Sequence, residues 1–191
     1  MSRSVKLVLG AWVLAIIAGI AWVVVDIGSG QPAIGGPFAL TDHNGKRVTD
    51  QDLRGKPTII YFGYAYCPDV CPTSLLLMQT AVDQLGPQAA AKVNLVFITV
   101  DPERDTPASL KEYVGQFGPT MVGLTGTAEQ IAAAAKAFRV YYQKVPGKDG
   151  APYLMDHSSI FYVMDRNFRF VKHFTHQAKA EDIAVAIKPL L

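Results

Sequence analysis

Cysteine is nearly absent from this chain: its 191 residues hold two, Cys67 and Cys71. A structural zinc site normally takes four protein ligands, with more thiolates than are present, so that class is set aside. An excess of one charge is also missing. Lys and Arg total 18 against 16 Asp and Glu, and no basic cluster interrupts the chain, which argues against a nucleic-acid partner. No internal repeat occurs, and the only biased stretch is the run Ala132–Ala135, ordinary helix. The Thr and Arg pattern that activates peroxide around a single attacking cysteine is lacking too, which argues against a peroxidase.

Charge is absent from one long segment. Leu7 to Val25 (LVLGAWVLAIIAGIAWVVV) is nineteen residues without a charged or strongly polar side chain. As a helix it would be about 28 Å long, enough to cross a bilayer core. A cleaved secretory signal usually has a shorter apolar part ending at a small-x-small site, whereas this run ends in Trp22-Val-Val-Val-Asp26. The expectation is therefore a single transmembrane anchor within residues 1–26. Arg3 and Lys6 precede it, which places the amino terminus in the cytoplasm and everything after Asp26 outside. Residues 27–37, rich in Gly, Ser and Pro, read as a flexible tether. Residues 38–191 are long enough for one domain with a core of its own. The amino terminus shows no Arg- and Ser-rich amphipathic leader, so the expected setting is the bacterial cytoplasmic membrane with an extracytoplasmic domain.

Within that domain, Asn44-Gly45 separates two short runs and predicts a hairpin over Phe38–Thr49. TIIYF (Thr58–Phe62) and KVNLVFITV (Lys92–Val100) read as buried strands. Pro72 suits the first turn of a helix running through Leu85 to Gly86-Pro87. Thr106 with Pro107 begins a second helix, to about Phe117. Thr127 with Gln130 forms a capping box ahead of a third. Strands are expected at Val140–Val145, Ser159–Met164 and Phe168–Phe174, and a last helix at Lys179–Leu190. Strands alternating with helices, then adjacent strands and a closing helix, predict a mixed sheet flanked by helices, an α/β fold of thioredoxin type. The cysteine turn would lie where a central strand hands over to a helix, where α/β proteins place their sites.

The spacing of the cysteines calls for chemistry. A disulfide closing so short a loop removes little entropy from the unfolded chain. Helical positions four apart hold their Cβ atoms about 5–6 Å from each other, against roughly 3.5–4.5 Å for a disulfide, so bond formation needs the segment to leave the helix. A Cys71 at the helix start would be favoured as thiolate by the helix dipole. Two soft thiolates suit Cu(I), and Zn(II) also. An oxidising compartment nevertheless keeps a plain disulfide in view. A third ligand would be imidazole, from His43, His157, His173 or His176. His157 differs in context, because it ends the long loop Pro146–Asp156 just before SSIFYVM.

Three blocks carry a resemblance: YFGYAYCPDVCPT from Tyr61, VDPERDTP from Val100, and DHSSIFYVMD from Asp156. In this order they resemble the signature blocks of the SCO/SenC family, membrane-anchored, thioredoxin-like copper proteins that help assemble the binuclear copper centre of cytochrome c oxidase. The likeness runs from about Phe38 to the end and includes the anchor. It implies Cys67, Cys71 and His157 as ligands of one copper ion per chain, and oxidase subunit II as the recipient. A further copper carrier or thiol reductase outside the membrane is a candidate second partner. Ala65 and Tyr66 stand where many relatives have Thr and His, which removes one accessory ligand. Asp69, Asp101 and Asp156 are candidates for supporting the ligands; Asp101, Arg104 and Asp105 also read as a strand end, a turn and a helix start. The rival expectation is a thiol-disulfide reductase in which Cys67 and Cys71 cycle through a disulfide and His157 is dispensable.

Overall fold

The computed structural model describes residues 34–148 and 150–191, together with Trp12. Among these no helix is long and apolar enough to cross a membrane. The expected anchor at Leu7–Val25 lies, Trp12 apart, outside them. Ile34–Leu191 forms one compact unit. Its first residues, assigned to the tether from sequence, are bound to it: the Gly35 N–H donates to the Ala137 carbonyl at 2.9 Å.

Seven strands form the main sheet: a hairpin at one edge, three parallel strands in the middle and two antiparallel strands at the other edge. The expected hairpin is present as β1 (Ala39–Asp42) and β2 (Arg47–Thr49), turned at Gly45 with φ +82°. Strand β3 (Thr58–Gly63) runs parallel to β4 (Asn94–Thr99), and β4 parallel to β5 (Met121–Thr125). Strands β8 (Ile160–Met164) and β9 (Phe170–Thr175) close the other side antiparallel. Every residue of β3 is buried, as its unbroken apolar run predicts for a strand covered on both faces. Fully burying side chains such as Ile59, Ile60 and Phe62 stabilises the fold by roughly 1.5–3 kcal/mol each.

Helix α1 (Val70–Asp83) packs over β3 on the face of Tyr61 and Gly63, beside α3 (Pro107–Gly115) and α5 (Ala180–Ile187). Helix α4 (Ala128–Phe138) covers the opposite face, where Phe138 meets Phe62 and Tyr162. Thr106 caps α3, its hydroxyl accepting from Ser109 N–H, and Thr127 with Gln130 forms the expected capping box of α4.

Several elements differ from the sequence reading. Helix α1 stops two residues short of Leu85, and Gly86, at φ +83°, leads into a short helix α2 (Pro87–Ala90). Strand β5 has no counterpart among the expectations. Its five residues include Gly123, and α3 needs that gap: a Cβ there would lie 3.0 Å from Val114 and 3.3 Å from Leu110. The segment before His157 is partly strand. β7 (Leu154–His157) pairs antiparallel with β6 (Tyr142–Val145) in a separate two-stranded ladder that aligns His157 with Tyr142.

Candidate metal centre

The centre is built where β3 ends. Tyr64 to Asp69 turn away from the sheet, with the Cys67 N–H donating to the Tyr64 carbonyl at 3.2 Å, and α1 begins at Val70 with Asp69 as its cap residue. Cys67 thus lies outside the helix and is half-buried, whereas Cys71 is its second residue and fully buried. Both are free thiols. Gly63 makes room for the inner sulfur: a Cβ at that position would stand 2.8 Å from Cys71 Sγ and 2.9 Å from the Phe97 ring.

The hairpin of β6 and β7 brings His157 across to the cysteines. Its Nε2 is 3.3 Å from Cys71 Sγ, and the donor atoms of Cys67, Cys71 and His157 all lie within 4.8 Å of one another. Among the described residues no other three His, Cys, Asp or Glu side chains gather this way. His157 Nδ1 faces the Ser158 carbonyl at 3.3 Å. A carbonyl only accepts, so Nδ1 is the nitrogen placed to keep a ring proton when Nε2 gives its lone pair to a metal ion between the sulfurs. Tyr61 and Tyr64 meet the ring at right angles, with centroids 6.0 and 5.9 Å away.

The sulfurs are electrically unequal, and in the opposite sense to the sequence expectation. The Cys71 thiol donates to the Cys67 sulfur, and this bond is the main reason the Cys67 pKa falls to about 4. His157 and the N–H groups of Asp69 and Cys71 add to it, while burial opposes it. The bond to Cys67 pushes the Cys71 pKa up, helped by burial and the neighbouring negative charge. The pair therefore sheds one proton readily and shares the second. The first N–H groups of α1, unpaired within the helix, serve Cys67 on the preceding turn instead of Cys71.

The remaining candidates take varied places. Asp69 and Asp156 are exposed at the mouth of a pocket of about 300 Å³ that Cys67 and His157 line. The ring-holding contact considered for Asp156 is made by the Ser158 carbonyl. Asp101 is buried behind the centre, accepting from Arg104 Nε and from the Tyr153 hydroxyl at 2.9 Å. His43 Nδ1 accepts from the Gly123 N–H, a sheet contact, while His173 and His176 are exposed on and after β9.

Asp105, a helix start in the sequence reading, holds the cysteine turn. Its carboxylate accepts from the Ala65 N–H at 3.0 Å and the Thr99 hydroxyl at 2.6 Å, tying the cysteine turn to the end of β4. Burial raises its pKa. The sequence reading misses Gly63. A glycine four residues before Cys67, at the end of an otherwise bulky strand, was the available signal.

The SCO1/SenC family model matches residues 28–191. The chain belongs to the SCO1/SenC family. A SCO1 homologue of Arabidopsis thaliana is 47% identical over 146 residues, covering 76% of this chain and 43% of its own, so the match spans less than half of that relative. The copper-bound structure of Bradyrhizobium japonicum ScoI has a TM-score of 0.76 and 52% identity, over 83% of this chain and all of that one. Copper-bound Arabidopsis thaliana ScoI has a TM-score of 0.77 and 43% identity, over 81% and 96% of the two chains. These SCO1/SenC likenesses bear out the thioredoxin-like α/β fold expected from sequence.

Proposed function

We propose that this SCO1/SenC protein binds one copper ion through Cys67, Cys71 and His157 and serves in the assembly of cytochrome c oxidase. The observation that carries the reading is the convergence of two sulfurs and one imidazole nitrogen within 4.8 Å, from residues 86 positions apart. The donor set fits the ion. Thiolate and imidazole are soft enough for Cu(I), Cys67 is already deprotonated at neutral pH, and Nε2 offers a lone pair. No fourth His, Cys, Asp or Glu donor joins the group among the described residues, which suits copper better than a closed tetrahedral zinc site. The copper bound to two similar structures supports the same choice.

The ion is cargo in this reading. Three ligands leave a position through which a thiolate of the recipient enters, so copper passes by ligand exchange without being freed. The recipient is the binuclear copper site of oxidase subunit II, as the resemblance of the three sequence blocks implies. The protein would act from the outer face of a bacterial cytoplasmic membrane, held by its amino-terminal apolar run and loaded by another copper carrier.

A second reading, thiol-disulfide reductase, is favoured by the asymmetry of the sulfurs. The Cys67 thiolate attacks a recipient disulfide and releases one thiolate. Cys71, giving up its proton, then attacks Cys67 and releases the second, so two electrons pass from the pair to the recipient and a Cys67–Cys71 disulfide forms. His157 is not needed for that chemistry.

Copper stoichiometry of residues 34–191, for the parent and for Cys67→Ala, Cys71→Ala and His157→Ala, tests the first reading. One Cu(I) per parent chain, weakened in each variant, is expected. Cells carrying His157→Ala should also lack the absorbance of the oxidase binuclear copper centre. Copper binding unaffected by His157→Ala, with oxidase assembly intact, would overturn the carrier and leave the reductase.

A further inference from the structure

His157 is carried by β7, which among the described residues pairs with β6 and not with the main sheet. On its carboxyl side the strand is held by Tyr141, whose carbonyl accepts from the Ser158 N–H and whose N–H donates to the Ser158 hydroxyl. Beyond the ladder to β6, the amino side is held by Arg104, with Lys144 Nζ also 4.5 Å from the Tyr153 ring centre. Arg104 Nη1 donates to the Tyr153 carbonyl at 2.9 Å, one residue before β7, and its guanidinium carbon lies 3.7 Å from the centre of the Tyr153 ring. Asp101 accepts from Arg104 Nε on one carboxylate oxygen and from the Tyr153 hydroxyl on the other.

The same guanidinium touches the cysteine turn. It lies 4.7 Å from the Tyr66 ring centre and 5.7 Å from that of Tyr64, whose ring edge meets His157. Arg104 Nη2 is buried without an acceptor. A buried donor left unpaired calls for a reason. Here the planar group is stacked among aromatic faces while its two remaining nitrogens each bond an oxygen, a combination open to arginine and closed to lysine.

We propose that Arg104 is a positioning residue for His157: it clamps Tyr153 to the cysteine turn and thereby sets the imidazole against the two sulfurs. The proposal deepens the copper reading, and its metal-binding arm rests on it. Its neighbour Asp105 fixes the backbone of the cysteine turn, so two consecutive residues of the Asp101–Asp105 turn hold the two halves of the centre.

The test uses Arg104→Met and, in case that variant loses its fold by circular dichroism, Arg104→Lys, which keeps the charge and the stem but not the fork. In the metal-free protein, amide hydrogen exchange over residues 153–158 should quicken at least tenfold while β3 and β4 exchange as in the parent. In Cu(I) competition, either variant should weaken binding by about 10- to 100-fold, the usual scale for groups that orient a metal ligand. Combination with His157→Ala should weaken it no further than His157→Ala alone, because a residue acting through the imidazole has nothing left to position. Unchanged exchange over 153–158, or copper losses that multiply independently in the double variant, would overturn the clamp. If the parent binds no Cu(I), the copper reading fails and the exchange measurement alone decides the clamp.

Discussion

The backbone N–H of Cys71 points at the sulfur of Cys67, 3.4 Å away. One sulfur is therefore served by the start of the helix that carries the other. Reactivity is placed on the half-exposed Cys67 and withheld from the buried Cys71.

This asymmetry predicts a pH profile. Thiolate is the reactive form, and it exists above the pKa. Alkylation of Cys67 by iodoacetamide, corrected for the intrinsic rate of its thiolate, should hold constant from neutral pH downward and fall only as pH drops through about 4. Cys71 should stay unmodified throughout in the native protein. In Cys71→Ala, the thiol that donates to Cys67 is gone, so the midpoint should move upward. Peptide mapping by mass spectrometry assigns each adduct, and modification of Cys71 ahead of Cys67 would contradict the geometry.

Gly63→Ala is expected to damage the centre from beneath. The new Cβ would lie 2.8 Å from Cys71 Sγ and 2.9 Å from Phe97, both buried, so something must shift. Overpacking of this kind costs about 1–3 kcal/mol. Urea denaturation should show that loss, and Cu(I) affinity should fall as the inner sulfur is displaced. Parent-like values for both would mean that the helix lifts off β3 freely.

Thr106→Ala separates helix stability from the centre. The Thr106 hydroxyl accepts from the Ser109 N–H at 3.2 Å and touches neither cysteine nor His157. Loss of this cap should cost about 1 kcal/mol in denaturation. The alkylation profile of Cys67 should not change.

The elements most legible in the sequence were those whose signal is local. Thr106-Pro107, Thr127 with Gln130, and Asn44-Gly45 fix their own backbone within a few residues, and each lies where expected. Strand β5 was hidden because its glycine answers a demand from α3 that no local pattern records. His157 reads from sequence as the end of a loop because Gly147, Gly150 and Pro152 lead into a four-residue strand whose only partner among the described residues is the equally short β6. Which cysteine ionises first turned on the direction of one N–H and one thiol across a turn, and spacing alone does not contain it.

Asp105 ties pH to the same turn. Burial raises its pKa above 3.8, its ordinary value, so the native state binds that proton more tightly than the unfolded chain. The associated stability is fully present below 3.8 and is lost as pH rises through the raised native pKa. Asp105→Asn keeps an oxygen to accept from the Ala65 N–H and the Thr99 hydroxyl but does not ionise. Its stability relative to the parent should therefore improve as pH rises from 3.8, measured by urea denaturation at a series of pH values. Asp105→Ala removes the acceptor and leaves a buried hydroxyl and a backbone N–H unpaired, at a cost of about 2–3 kcal/mol at low pH that shrinks as pH rises in parallel with the Asn variant, because alanine does not ionise either. A flat difference between parent and Asp105→Asn would mean that the carboxylate is ionised alike in both states, and that the turn is held by hydrogen bonds whose strength owes nothing to burial of the charge.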